Sequence, residues 1–223
     1  MRIIAINLNG IRSAAGKGFY EWLAQQAAEI VCLQELKAQA ADMGARMLAP
    51  PGYRGYFHYA QKKGYSGVGI YTRHEPDALV EGLGMPEFDR EGCYLEAQSG
   101  NLSVVSVYLP SGSSGEVRQA VKFQFMEAFM PHLLALKQSG REAIICGDWN
   151  IAHTEKDLKN WRGNRRNSGF LPEVRAWLTA LFDEAGFVDI FRRVHPEREA
   201  YTWWSNCGRA WGKDVGWRID YID

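Results

Sequence analysis

The stretch EAIICGDWN, residues 142–150, is an apolar run that closes on Asp148, Trp149 and Asn150. An uninterrupted apolar run of this length, bounded by turn-forming residues, reads as a strand buried on both faces. Upstream, GEVRQAVKFQFMEAFMPHLLALKQSG (115–140) reads as one long helix, with Val117, Val121, Phe125, Phe129 and Leu133 on an i, i+4 stripe. Pro131 should kink or break it, and Arg118 and Lys122 read as surface charges near its start. Downstream, PEVRAWLTALFDEAG (172–186) reads as a helix with Pro172 near its start and Gly186 past its end. Val174, Trp177, Leu178, Leu181 and Phe182 form its apolar stripe.

The N-terminal third repeats the alternation. RIIAINL and IVCLQE are buried strands. Between them GFYEWLAQQAAEI puts Phe19, Trp22, Leu23, Ala27 and Ile30 on one helical face, with Trp22 in the core. The order β-α-β implies a parallel crossover. YRGYFHYA, GVGIYTR, CYLEAQ and LSVVSVYL then read as short strands between Gly, Pro and Asn signals, a pattern of antiparallel hairpins. YTWWS and GWRIDYI close the chain as further strands. With no linker, repeat or low-complexity tract, the expectation is one α/β domain over 1–223. Its expected form is a four-layered sandwich of two packed mixed β-sheets flanked by helices.

Composition narrows the function. Hydrophobic residues make up 46% of the 223, ample for a large core. The formal net charge is zero, which excludes an all-over basic coat for nucleic acid but permits a local basic patch. MRIIAINLNG meets Asn7 and Asn9 too early for a secretory signal, and no apolar run is long enough to span a membrane. Cys32, Cys93, Cys146 and Cys207 show no C-x-x-C spacing and read as reduced thiols of a cytoplasmic protein.

Side chains two apart on a strand share a face, so Asp148 and Asn150 should converge, as should Asn7 and Asn9 in IAINLNG. IVCLQE ends on Glu35, SVVSVYLP ends near Tyr108, and GWRIDY holds Asp220 among apolar neighbours. Burying any one of these groups alone would cost about 1–3 kcal/mol. A polar residue at a strand end often merely begins a loop. Recurrence of close polar pairs on several strands favours instead a common rim where these groups meet one another, a metal and water. No Cys/His pair, glycine-rich phosphate loop or zinc spacing is present. Carboxylate, amide and water ligands suit a hard cation, magnesium or manganese, and such sites serve phosphate chemistry.

NLNGIR, LQE, VYLPSG, GDWNIAH, KNWRGNRRNSGF and GWRIDY, in this order, resemble the exonuclease III family of apurinic/apyrimidinic endonucleases, within the larger endonuclease/exonuclease/phosphatase group. RGNRRNSGF and GWRIDY are the more specific motifs of the DNA-repair branch. The resemblance implies Glu35 as primary magnesium ligand, with Asn9 beside it and Asp148 and Asn150 at the same metal centre. It implies Asp148 as the group that orients or deprotonates the attacking water, and Asn7 and Asn150 as amides holding water and phosphate. Tyr108 would support the phosphate or leaving oxygen, and Asp220 a histidine or the metal network. Asn164 and Asn167 would contact the phosphate and the cavity for the baseless sugar, which Trp203 and Trp217 would line. The implied reaction is in-line attack of water on the phosphodiester 5′ to an abasic site, leaving a 3′-hydroxyl, with 3′–5′ exonuclease and 3′-phosphatase activity as variants.

The family also closes on a strand carrying Ser-Asp-His, whose histidine is catalytic. Here the sequence stops at Asp223 after GWRIDYI, and the 223 residues are expected to be part of a longer product. His153 in NIAHTEKD is expected to be structural and no substitute.

EKDLKNWRGNRR interleaves Lys156, Lys159, Arg162, Arg165 and Arg166 with Asn160, Trp161 and Asn164, a composition suited to gripping phosphates. Arg12 and Lys17 would lie at the same rim. Trp203, Trp204, Trp211 and Trp217 cluster near Asp220 and fit core packing or a stacking pocket equally well. The expected partner is duplex DNA with abasic sites or 3′ ends, bound by a monomer. Two alternatives stay open: a related phosphoesterase on another substrate, and a DNA-binding relative without catalysis.

Overall fold

Strand β1 (Ile3–Asn7) and strand β2 (Ile30–Gln34) run parallel, with Ile3 opposite Ile30 and Asn7 opposite Gln34, as a β-α-β crossover requires. The computed structural model describes all residues from 1 to 223. Two short helices, α1 (Ile11–Gly16) and α2 (Phe19–Leu23), form the crossover. Phe19, Tyr20 and Leu23 are buried with Ile11, Val31, Leu33 and Tyr71 in one apolar cluster, each contributing about 1.5–3 kcal/mol of burial. The helix expected to continue toward Ile30 stops at Leu23, and Ile30 belongs to β2. Its five residues make barely more than one turn, so Trp22 is 39% exposed rather than core, stacking on Phe19 at 6.0 Å.

Helix α3 (Ala45–Leu48) leads into β3 (Arg54–His58), which pairs antiparallel with β4 (Val68–Thr72). The first sheet has the order β1-β2-β4-β3. The second includes β5 (Ala78–Glu81), β6 (Tyr94–Ser99), β7 (Leu102–Tyr108) and β8 (Glu142–Asp148), with α4 (Pro86–Asp89) between β5 and β6. β5, β6 and β7 form antiparallel hairpins, and β7 and β8 are parallel. β5 was not legible in the sequence, because all four of its residues are exposed and carry no apolar alternation.

The two sheets pack face to face, β1 and β2 over β7 and β8 and β4 over β6 and β7. A buried polar seam joins them: Gln34 Nε2 donates to Ser106 Oγ at 3.0 Å, and that hydroxyl donates to Leu33 O at 3.0 Å. Gly147 is needed at the β7–β8 contact. A Cβ there would stand 2.2 Å from the Val107 carbonyl oxygen. The fold is an α/β sandwich of two packed mixed sheets flanked by helices, the class expected.

The chain packs as two compact units, residues 1–108 with 135–148, and residues 109–134 with 149–223. The second holds most of helix α5 (Glu116–Gln138), with α6 (Pro172–Asp183), α7 (Ile190–Val194) and three short strands, β9 (Trp203–Trp204), β10 (Gly216–Trp217) and β11 (Asp220–Ile222). Trp149 is its anchor, fully buried and 5.7–6.3 Å from the rings of Trp177, Phe129 and Tyr221. Arg218 is buried between two acids, with Nε donating to Asp157 Oδ1 and Nη2 to Asp189 Oδ2, both at 2.6 Å. Arg192 adds a second guanidinium on Asp157 at 2.5 Å. Burial alone would raise the Asp157 pKa. The two arginines and the Thr154 amide outweigh it and hold the carboxyl below its ordinary value.

Helix α5 departs from its reading at three points. Val117 is 79% exposed, so the buried apolar stripe starts about two turns later, on Phe125, Met126, Phe129 and Leu133. The helix continues past Pro131 to Gln138, with no break there. Lys122 is not a surface charge. It is 0% exposed, and its ammonium donates to Asn150 O at 2.7 Å and Ser168 O at 3.2 Å. Loop carbonyls distant in sequence give that charge its place, which no local pattern reveals.

Candidate active site

Three of the expected site residues meet at the carboxyl ends of β1, β2 and β8. Asn7 is the last residue of β1, Asp148 the last of β8, and Glu35 follows β2 directly. The Asn7 amide nitrogen donates to Glu35 Oε1 at 3.0 Å and to Asp148 Oδ2 at 2.9 Å. One NH2 group thus uses both of its protons to hold two carboxylates side by side. Asp148 is buried and Glu35 keeps 17% of its side-chain surface. Tyr108 ends β7 in register with Asp148 and is buried beside it.

The same-face argument fails for Asn9. It lies beyond the end of β1 with φ 47°, and its backbone amide donates back to Asn7 Oδ1 at 2.9 Å. A residue in the left-handed region does not continue a strand's alternation. Glu35 and Lys37 are also left-handed, at φ 52° and 49°. Three non-glycine residues in that region within two adjacent loops are a costly arrangement, of order 1–3 kcal/mol each. Backbone bonds from Leu36 N to Gly67 O and from Lys37 N to Ser66 O hold the second loop in place.

Lys37 was not singled out from sequence. Its ammonium lies 2.5 Å from Glu35 Oε2 and 2.6 Å from Asn9 Oδ1. The available signal was the LQELK spacing, a base two residues after an acid at a strand end. Glu35 and Asn9 therefore offer hard oxygens to a cation, the donor type that suits magnesium or manganese. No group of three His, Cys, Asp or Glu side chains stands together as a metal cluster, so the candidate ligands are the two acids with amide oxygens. Arg12 is near the same loops, exposed and 3.5 Å from Asp42.

The second unit carries the remaining candidates. Asn150 is left-handed at φ 51°, outside β8, so the expected pairing by strand alternation with Asp148 does not apply. Its side-chain amide donates to Leu109 O at 2.9 Å while Lys122 takes its carbonyl. Asn164 and Asn167 come together in one turn, with Asn167 N donating to Asn164 O at 2.8 Å and Asn167 Oδ1 accepting from Gly169 N at 3.0 Å. Trp203 and Trp217 face each other in the β9–β10 ladder, Trp203 45% exposed. Asp220 begins β11, its backbone amide on the Thr202 hydroxyl at 3.2 Å.

His153, expected to be structural, is tied into the second unit by its ring. Its Nε2 is 2.8 Å from Thr179 Oγ1, which itself donates to Arg175 O at 3.1 Å. The hydroxyl proton is therefore spent on Arg175 O, and Nε2 must be the donor. Burial holds the imidazole below its ordinary pKa, against the pull of Asp157 and Asp189. In the basic loop, Lys156 pairs with Glu197 at 2.6 Å and Lys159 with Glu199 at 2.9 Å. Arg162 and Arg165 both lie over the Trp161 ring, at 4.6 and 4.7 Å.

A two-sheet α/β sandwich that ends neighbouring inner strands on bridged carboxylates has the build of a phosphoester hydrolase. The chain belongs to the Endonuclease/Exonuclease/phosphatase family, whose sequence pattern matches residues 4–222. It is similar to an exodeoxyribonuclease of Bacillus subtilis, 42% identical over the whole chain and 87% of that protein. It is 37% identical to a DNA repair nuclease of Danio rerio, over the whole chain and 72% of that protein. Among solved structures, an AP endonuclease from Archaeoglobus fulgidus superposes with a TM-score of 0.89 at 27% identity, over the whole chain and 86% of that one. A 3′ phosphatase from Neisseria bound to a product DNA hairpin superposes at 0.90 and 26%, over the whole chain and 85% of that one. The resemblance read from NLNGIR, GDWNIAH and GWRIDY holds.

Proposed function

We propose that this chain is a magnesium-dependent DNA-repair phosphodiesterase that cuts the backbone 5′ to abasic sites and also trims 3′ ends and 3′ phosphates. The observation that carries it is the Asn7 amide holding the Glu35 and Asp148 carboxylates together at the ends of three strands. The relatives supply the substrate class: they are DNA-repair nucleases and exodeoxyribonucleases, and one was solved on a DNA hairpin product.

Glu35 and Asn9 would hold the cation, with Asp148 and Asn150 at the same centre. A divalent cation held by these residues would supply neutralising charge for the phosphoryl oxygens. Asp148 orients the water and takes its proton. Asn7 fixes that carboxylate's direction through the hydrogen bond already present. Tyr108 stands next to Asp148 in the ladder and donates to a phosphate or leaving oxygen. Asn150 steadies the phosphate, and Asp220 supports the network. Arg12, Asn164 and Asn167 bind backbone phosphates, and Trp203 and Trp217 line the space for the baseless sugar.

The test offers three substrates under the same magnesium: a duplex with one abasic site, a duplex with a 3′-phosphate, and a phosphoinositide headgroup. Turnover of the two DNAs with the headgroup untouched is the expected result. Preference for the headgroup would replace this reading with that of a phosphoesterase on another substrate.

A further inference from the structure

The Lys37 ammonium lies on two of the proposed cation ligands, 2.5 Å from Glu35 and 2.6 Å from Asn9. We propose that Lys37 is the resident counter-ion of the cation seat, a positioning residue whose ammonium competes with the divalent cation for Glu35 and Asn9. The proposal rests on the metal reading given above.

Three observations argue for it. First, both contacts are charge-assisted and short, and they engage the two oxygens that a hard cation would use. An ammonium and a divalent cation cannot share those oxygens, since two positive charges at such spacing repel strongly. Second, the contact is built at a conformational cost. Asn9, Glu35 and Lys37 all adopt left-handed backbone conformations, and bonds to Ser66 and Gly67 pin the loop. Third, Lys37 can leave. A third of its side-chain surface is in solvent, so the flexible stem can swing the ammonium into water when a cation arrives.

The consequence is thermodynamic. With the ammonium in place, the Glu35 and Asp148 carboxylates beside each other are partly neutralised, which favours the metal-free fold. The same contact must be broken for metal to bind, so it weakens apparent metal affinity. Lys37 thereby keeps the metal exchangeable without leaving adjacent carboxylates uncompensated.

The test is Mn2+ binding by the 223-residue chain without DNA, read from the electron paramagnetic resonance of free manganese. Parent, Lys37→Met, Lys37→Gln and Lys37→Arg are compared. Loss of one charge-assisted contact in the competitor should tighten Mn2+ binding about tenfold in Lys37→Met and Lys37→Gln. Lys37→Arg, which keeps the charge, should stay near the parent. Without metal, the two neutral variants should melt below the parent, and the gap should close at saturating Mn2+. Equal or weaker Mn2+ binding by either folded neutral variant overturns the proposal. A parent that binds no Mn2+ overturns the metal reading as well, whereas a parent that binds and neutral variants that match it overturn the role of Lys37 alone.

Discussion

Asn7 holds two carboxylates with one amide group, and that chemistry sets what the position tolerates. Asn7→Asp would replace both donors with a third carboxylate of the same shape. We predict that the metal-free variant loses about 2 kcal/mol, roughly 4–8 °C in melting temperature. Magnesium or manganese should restore much of that loss, because the added charge is a ligand once a cation is bound. A melting curve with and without metal checks it; a loss that metal leaves untouched would contradict the assignment. Lys122 presents the reverse case, a buried ammonium that holds two loop carbonyls. Lys122→Met should cost about 2–3 kcal/mol in urea unfolding, since both carbonyls lose a charged donor. At this scale the sequence was half legible. Asn7, Glu35 and Asp148 stand at the ends of apolar strands, and that position finds them. Asn9 and Asn150 sit at positive φ, where alternation means nothing, and Lys37 and Lys122 take their roles from partners outside their local pattern.

Elements were legible where apolar runs were long. β1, β2, β7 and β8 each bury most of their residues or lie beside strands that do, and the β-α-β order gave the parallel β1–β2 pair, while the parallel β7–β8 pair was not read in advance. β5 holds no periodic signal, so only its partner defines it, whereas β9 and β10 fall within YTWWS and GWRIDYI, the stretches read as strands. Helix α2 was overread because apolar residues belonging to two elements happened to fall at helical spacing. The β7–β8 pair carries a prediction of its own. Gly147→Ala would push a methyl against the Val107 carbonyl at 2.2 Å, in the ladder that positions Tyr108 and Asp148. The strands must part, at a cost of about 1–3 kcal/mol. Activity should fall by more than stability implies, because the displaced residue adjoins Asp148. Unfolding by urea together with single-turnover cleavage at saturating DNA separates the two effects.

For the molecule as a whole, a net charge of zero means that DNA affinity must come from local charge. Lys156 and Lys159 are already paired with glutamates, which leaves Arg162 and Arg165 on Trp161 as the better candidates for phosphate contact. Replacing both by Ala should lower the slope of log affinity against log salt by about 1.8, some 0.9 per lost contact. An unchanged slope would remove the loop from the DNA interface. Stability should depend on pH through His153 and Asp157, both held below their ordinary pKa values. The unfolded state then binds protons first, so both contributions are present at neutral pH and lost on acidification. The loss from His153 begins below about pH 6.5 and that from Asp157 only below about pH 4. In urea unfolding, His153→Gln should abolish the decline between pH 7 and 5 and leave the acid limb unchanged.

The central claim is that Asp148, held by Asn7 beside Glu35, activates water at a cation site to cut abasic DNA. It is tested most directly by single-turnover incision of a duplex with one abasic site, with magnesium or with EDTA, by parent and Asp148→Asn proteins. The account predicts magnesium-dependent cleavage 5′ to the abasic site, a 3′-hydroxyl product, and a loss of about 10²–10⁴-fold in the folded variant. Incision that survives EDTA, or that proceeds at the parent rate in Asp148→Asn, would contradict it.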